Sequence, residues 1–374
     1  EFRVASAARA PLRISGDVTM AWQAGLMLFS QRYTQNATTT FAPYVLSPWL
    51  SMPVDQHSPS ASLDDRGLGM YAAATLTAWK ELGVTFGARF DREHRAADIR
   101  SSYAPEVAPS TRLQAGRTYS DVSPQAAVTW RPVSTVSIYA STGSGFKAGG
   151  FNAWAPPGSE SYGEEHAWTA EAGVKTRWAG GRVLFDAAYY RVDWNDMQLT
   201  VPAPGAPAQF YIANVGHATS SGVEVTMTAR PAANIQLHAA LGTTDGKFGA
   251  ESMSGGVNVS GNRLPLAPDY TASVGLALSA RPTPSLEIFA GGDVVSCGSY
   301  RYDDQNLAGQ SAYALVNLRG GFRVGKFGVD AWVHNAFDTR YVPLALPYGS
   351  LAPSGFIGEP GAPRRFGITA HAGF

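Results

Sequence analysis

The stretch Gly83-Val84-Thr85-Phe86-Gly87-Ala88-Arg89-Phe90-Asp91 alternates without a break, its odd positions small or polar and its even positions apolar. Period two marks a strand with one face in an apolar medium and the other in a polar one. Val223, Val225 and Met227 against Glu224, Thr226 and Thr228 repeat the pattern, as do Ala312, Ala314, Val316 and Leu318 against Tyr313, Asn317 and Arg319. At the end of the chain Phe366, Ile368, Ala370, Ala372 and Phe374 alternate with Arg365, Gly367, Thr369, His371 and Gly373. Roughly 15 such segments occur, with no amphipathic helical window of comparable quality, and the chain is therefore expected to be all-β.

Composition says what kind of β protein this is. Among 374 residues, Lys+Arg 29 and Asp+Glu 29 cancel, so there is no electrostatic footprint for nucleic acid. Charged residues are 16% of the chain, against about 25% in soluble domains, too few to coat a compact soluble surface. No run approaches the roughly 18 apolar residues of a spanning helix, and the sequence does not open on a charged start followed by a short apolar run, so any membrane crossing must use strands. Cys297 stands alone, which excludes a disulfide framework and any multi-cysteine metal site.

The connections alternate in length. Short turns are read at Lys80-Glu81, Pro132 to Thr135, Ala179 to Gly181, Pro231 to Asn234, Pro282 to Ser285 and Gly325-Lys326. Between them lie long polar stretches at Gln35 to Asp65, Arg92 to Tyr119, Lys147 to Glu165, Asn195 to Gln209, Gly249 to Pro268 and Arg340 to Pro363. A soluble sandwich has no reason to collect its long loops at one end; an antiparallel transmembrane barrel with short periplasmic turns and long extracellular loops does. Trp130 and Trp178 fall on outward parity beside short turns, and Trp168 and Trp194 near the long-loop ends, as two interfacial girdles require; Trp79 has inward parity.

Six motifs then appear in a fixed order. The run Tyr139-Ala140-Ser141-Thr142-Gly143-Ser144-Gly145-Phe146-Lys147-Ala148-Gly149-Gly150-Phe151-Asn152 resembles a signature of TonB-dependent outer-membrane receptors. Glu171 to Lys175, Asn214 to Glu224, Asn262 to Pro268, Asn335 to Tyr341 and Pro363 to Gly367 resemble later segments of the same family. The resemblance implies the carboxyl-terminal part of a barrel of about 22 strands. Residues 1–374 would be barrel alone, without a plug domain or the first strands. Counting back from a periplasmic carboxyl end places Glu1 on the extracellular side, so further upstream residues are expected. The resemblance also implies that the terminal aromatic, Phe374, belongs to an assembly signal, and that an upstream segment meets a TonB-type energy-transducing protein.

Gly143, Gly145, Gly149 and Gly150 lie where a strand leaves the membrane and the backbone must bend; without a following helix they are no phosphate cradle. Glu171, Lys175, Arg177, Glu224 and Arg319 have inward parity, and lumen ion pairs are expected of them. Asp303-Asp304-Gln305-Asn306 reads as an exposed loop tip rather than a cation site, and the parity of Cys297 is ambiguous. Seven scattered His residues form no His-Glu-x-x-His pattern, and Ser141 to Gly145 lacks the strand-to-helix turn of a nucleophile elbow. No catalytic, cofactor or metal site is expected, and no enzyme.

The expectation is therefore an outer-membrane receptor that captures a scarce, bulky nutrient such as a ferric siderophore; cobalamin, a saccharide or a plant-derived aromatic would also fit. Trp154, Tyr162, Tyr211, Tyr300, Tyr302 and Tyr348 are the candidate ligand contacts in its loops. Its expected surroundings are the lipid bilayer and lipopolysaccharide. A plugless passive pore and a non-transporting surface scaffold are the alternatives.

Overall fold

The computed structural model describes residues 1–7, 11–156, 158–203, 210–349 and 352–373, and of residues 58–60 the backbone alone. Phe374 lies outside the described residues, and so do parts of three long connections.

One 17-stranded antiparallel sheet dominates. Its long strands pair with their neighbours in chain order: Val18–Phe41, Val54–Ala78, Leu82–Ala104, Thr111–Val133, Val136–Lys147, Glu165–Trp178 and Val183–Asn195. Ala218–Ala232, Ile235–Thr243, Tyr270–Thr283, Leu286–Cys297, Tyr313–Val324, Phe327–His334 and Arg365–Ala372 continue the meander. Phe2–Ala5 and Leu12–Ser15 share the free side of Val18–Phe41, and Asp245–Phe248 adds a third partner segment along Ala218–Ala232. Two-residue hairpins such as Gly325-Lys326, where Gly325 takes φ 57, join strands at one end.

The registers keep the apolar positions in continuous rows. Ala74 pairs with Phe86 and Phe86 with Ala126; Ala187 with Val225 and Val225 with Leu241; Val274 with Val294 and Val294 with Val316; Ala331 with Ile368. Phe86 is 59% exposed and Ile368 77%, so this face is covered by nothing among the described residues. The buried core lies instead beyond the apolar rows, among the long connections and the far halves of the longest strands. One cluster contains Val201, Val215, Phe248, Val259 and Leu264, and a second contains Ala61, Ala97 and Ile99. An apolar sheet face left bare beside a polar one is the arrangement of a barrel wall in lipid.

Three expectations need correction. Gln35 to Asp65 and Arg92 to Tyr119 are mostly not loops, because the flanking strands run on and leave only 42–53 and 105–110 between them. At about 3.3 Å per residue, the 24 residues of Val18–Phe41 extend roughly 80 Å along the strand, far more than the roughly 25 Å apolar band requires. In the upper halves the outer face no longer meets lipid and the inner face is buried only at a few positions such as Ala61, Ala97 and Ile99, so the alternation that marks a strand is lost. Trp194 pairs with Ala167 and Ala218 on the inner face and packs against the loop core, so it is no girdle residue. Trp130, Trp168 and Trp178 are exposed at their expected places, and Trp79 sits in a turn at φ 51.

The lumen charges are the third. None of Glu171, Lys175, Arg177, Glu224 and Arg319 forms an ion pair among the described residues. Tyr139 intervenes, its hydroxyl donating to Glu171 and its ring lying 5.7 Å from the Lys175 ammonium. Cys297, left open by its sequence context, pairs with Tyr313 on the inner face.

Candidate functional site

The long connections do not stand free; buried amides and carboxylates tie them together over the inner side of the sheet. Asn152, 7% exposed, is the centre of the first tie. Its Nδ2 donates to the carbonyls of Ser159 at 3.0 Å and Ile212 at 2.9 Å, and its Oδ1 accepts from the Ile212 amide at 2.8 Å. Gln198 donates to the carbonyls of Ala148 at 3.1 Å and Gly163 at 2.9 Å. Asn214 accepts from the Gly163 amide at 2.6 Å and donates to the Asp196 carbonyl at 2.7 Å. Side-chain amides suit this work because each carries both donors and an acceptor, and so satisfies backbone groups of two segments at once. Gly149 is obligatory here, since a Cβ would collide with the Tyr162 carbonyl and the Tyr119 hydroxyl. The glycine and asparagine pattern of the sequence is thus the pattern of this loop tie.

A second tie corrects the reading of Asp303 to Asn306 as an exposed tip. Asp303 and Asp304 are 8% and 6% exposed. Asp303 accepts from the amides of Leu307 and Ala308, both at 3.1 Å, Asp304 from the Ser254 hydroxyl, and the Asp304 carbonyl from Asn262 at 3.0 Å. With those acceptors occupied, the carboxylates are structural, and no metal-ligand cluster occurs among the described residues. The partners of Asp304 stand 42 and 50 residues away in the chain, so no local pattern announces its burial. A third tie joins the carboxyl-terminal motifs. Asn335 accepts from the Thr339 amide at 2.8 Å and donates to the Ala362 carbonyl at 3.1 Å, and Asp338 accepts from the Arg364 amide at 2.9 Å.

The six aromatic candidates divide between these ties and the cup they enclose. Tyr211 is buried within the first core cluster, and Trp154 packs half-buried against it. Tyr300 is buried, its hydroxyl donating to the carbonyls of Val342 and Pro343 at 3.1 Å each. Tyr302, half-buried, donates to the Val342 carbonyl at 2.7 Å and meets Tyr300 edge to face at 5.6 Å. Tyr162 and Tyr348 are half-buried. Burial pushes the Tyr300 phenol up to about 12 and raises those of Tyr162 and Tyr302, so all three stay neutral and offer ring faces and hydroxyls rather than phenolate oxygens. The six therefore do not form one cluster. Below the loops the inner wall holds a hollow of about 880 Å³ whose lining includes Asp293, Asn317, Arg319, Asp330, Trp332 and His371. Asn317 donates to Asp293 at 2.8 Å, and His371 pairs with Asp330 at 2.9 Å. Such a wall can pass or hold a polar solute.

Comparison with known proteins agrees with this architecture. Residues 6–336 match the family model described as TonB dependent receptor-like, beta-barrel. The ferrioxamine B receptor of Salmonella typhimurium is 27% identical over 177 residues, which are 46% of this chain and 24% of that protein. The ferric yersiniabactin uptake receptor FyuA of Yersinia pestis superposes with a TM-score of 0.80 at 20% identity, over 100% of this chain and 53% of that one. The siderophore receptor PiuA of Acinetobacter baumannii does so at 0.72 and 15% identity, over 96% and 54%. The chain thus spans about half the length of these receptor structures, and its match to the ferrioxamine B receptor covers about a quarter of that protein.

Proposed function

Because the chain belongs to the TonB-dependent receptor-like β-barrel family, an outer-membrane family, we propose that its protein takes up a scarce, bulky nutrient of the ferric siderophore class under TonB-type energisation. The observation that carries this reading is the family match over residues 6–336, and five of the six sequence motifs, all but Glu171 to Lys175, contain residues that tie the loops into one cup. The long connections face the outside and the short turns the periplasm. Trp154, Tyr162, Tyr302 and Tyr348, half-buried at the cup, offer stacking surfaces to the ligand, while Tyr211 and Tyr300 hold the shape behind them. On this reading residues 1–374 supply the carboxyl-terminal part of a 22-stranded wall, and the plug and the TonB-contacting segment belong to other parts of the protein.

The test is uptake by cells expressing the full-length protein in a strain lacking its own siderophore receptors. A panel of radio-iron siderophores is offered with and without a protonophore. Accumulation of at least one chelate that stops when the proton gradient is dissipated supports the receptor. Accumulation that continues unchanged is the behaviour of a passive pore, and no accumulation of any chelate removes the siderophore class.

A further inference from the structure

Where the strands Val18–Phe41 to Thr111–Val133 leave the apolar band, their outer face carries a hollow of about 430 Å³. Leu28 and Leu68 line it together with Arg66, Arg92, His94 and Thr118. The register fixes the order of these side chains. Leu28 pairs with Leu68 and Leu68 with Arg92, whereas one rung further from the band Arg66 pairs with His94 and His94 with Thr118. Arg92 follows Phe90 at the same parity, so the two guanidiniums and the imidazole stand on two successive rungs above exposed Met70 and Phe90, with exposed Leu28 on the lower of the two. The next rung is different: Arg32 is neutralised by Asp64 at 2.5 Å. Neither Arg66 nor Arg92 has an ion-pair partner among the described residues. His94 is steadied by Thr118, Nδ1 to Oγ1 3.0 Å.

A pair of uncompensated guanidiniums on a lipid-facing surface is costly within the band and nearly free at its edge, and this height is where lipid phosphates lie. Guanidinium is the side chain that grips phosphate oxygens in a fork. We propose that this hollow binds a phosphorylated lipid of the outer leaflet, with its phosphate between Arg66 and Arg92 beside His94 and an acyl chain over Leu28 and Leu68. A free anion has no use for the leucine floor, and an uncharged lipid has none for the arginines. The proposal rests on the outward assignment of this face and not on the uptake reading.

Native mass spectrometry of the full-length protein in neutral detergent tests it, with lipid A and its enzymatically dephosphorylated form as probes. Wild type retains lipid A at least about tenfold more tightly than the dephosphorylated form, a difference one charge-assisted contact can supply. The double variant Arg66→Gln, Arg92→Gln loses that preference, Arg66→Lys, Arg92→Lys keeps most of it, and Arg32→Gln is unchanged. Equal retention of the two lipids by wild type, undiminished preference in the Gln variant, or displacement of lipid A by millimolar inorganic phosphate each overturns the proposal. If the Gln variant fails to assemble, judged by heat-modifiable mobility in a detergent gel, the wild-type preference and the phosphate competition still decide.

Discussion

The strands between Val18 and Val133 and those after Val136 solve the same problem in opposite ways. Both must raise protein above an apolar band. The first group does so by prolonging its ladder, with strands of 23 to 25 residues and connections confined to 42–53 and 105–110 between their tips. The second stops at strands of 8 to 15 residues and folds the chain between them into a cup with its own buried core. Along the ladder, neighbouring side chains pair across exposed rungs, as in Arg112 with Asp98 at 2.7 Å. In the cup, buried amides satisfy backbone groups up to 60 residues away. The two meet where Phe151 and Ala153 of the cup pack on Ala61, Ala97 and Ile99 of the ladder. Height built from repeated local pairs tolerates the loss of any one; height built from a few shared, buried groups does not.

The largest effect should ignore this distinction. Arg at Phe86 in the first group, or at Val225 or Ile368 in the second, is expected to cost about 2 to 4 kcal/mol near the band centre, and Thr226→Arg on the inner face about 1 or less. Reversible denaturant unfolding of the barrel in lipid measures this, and equal costs at Val225 and Thr226 would break the assignment of faces. Asn317 is a poor inner-face control, since it holds both Asp293 and the Asn335 amide.

Next comes the tie itself. Asn152→Ala strands the Ile212 amide and two carbonyls, and should loosen the cup by about 1 to 3 kcal/mol. Hydrogen exchange should accelerate in 148–163 and 210–214 while the strand Leu82–Ala104 stays protected. Loss of protection along that strand as well would mean that ladder and cup open as one unit.

A third measurement reads shape directly. Cysteine placed at exposed Pro109 on the ladder's tip should react readily with an impermeant thiol reagent on whole cells, whereas cysteine at buried Val215 should react slowly. Cysteine at Lys326 should stay unlabelled until the outer membrane is opened. Labelling of Lys326 on intact cells would invert the orientation.

The smallest effect is a matter of pH. The Arg112 guanidinium, donating to Asp98, holds that carboxyl well below its ordinary 3.8. The unfolded state takes up a proton first, so the contribution is complete above about pH 3.8 and is lost as the pH falls towards the depressed value. Fraying of 98–114, read by hydrogen exchange, should therefore begin only below that pH, and Asp98→Asn should abolish the dependence. An unchanged profile in the variant would show that other rungs govern the tip.

How much of this was readable in advance follows the same division. Phe86 and Ile368 declare their face because each strand within the band repeats the contrast every second residue. Arg92-Glu93-His94-Arg95-Ala96-Ala97-Asp98 declares nothing, since its outer side chains are mostly polar and its inner ones are a salt-bridged pair and a single buried alanine, so no apolar contrast repeats and the sequence reads as loop where the structure has a strand. Asn152, Asn214 and Asn335 stood out as motif letters, but their role as loop ties depends on Ile212, Gly163 and Ala362, which only the fold brings near. Tyr211 and Tyr300 illustrate the remaining ambiguity, because an aromatic that would grip a ligand and one that would anchor a loop are the same residue type until burial separates them.

The length of the ladder has a further consequence, for pairing errors. A one-residue slip between two strands exchanges their faces, which is forbidden where one face is apolar but inexpensive where both are wet. The upper halves of Val18–Phe41 and Val54–Ala78 have no apolar outer face and few buried inner positions, such as Ala61, and so have less power to choose their own alignment. They do contain shifts, between Asn36 and Thr38 against the neighbouring strand and between His57 and Ser60 against the next. Alignment must be set in the band, where Leu26 meets Met70 and Trp22 meets Ala74, and handed upward rung by rung until those shifts reset it. The apolar segment therefore acts as the ruler for a polar structure more than its own height above it, and a substitution that blurs the alternation at Leu26 or Met70 would misplace side chains tens of ångströms away.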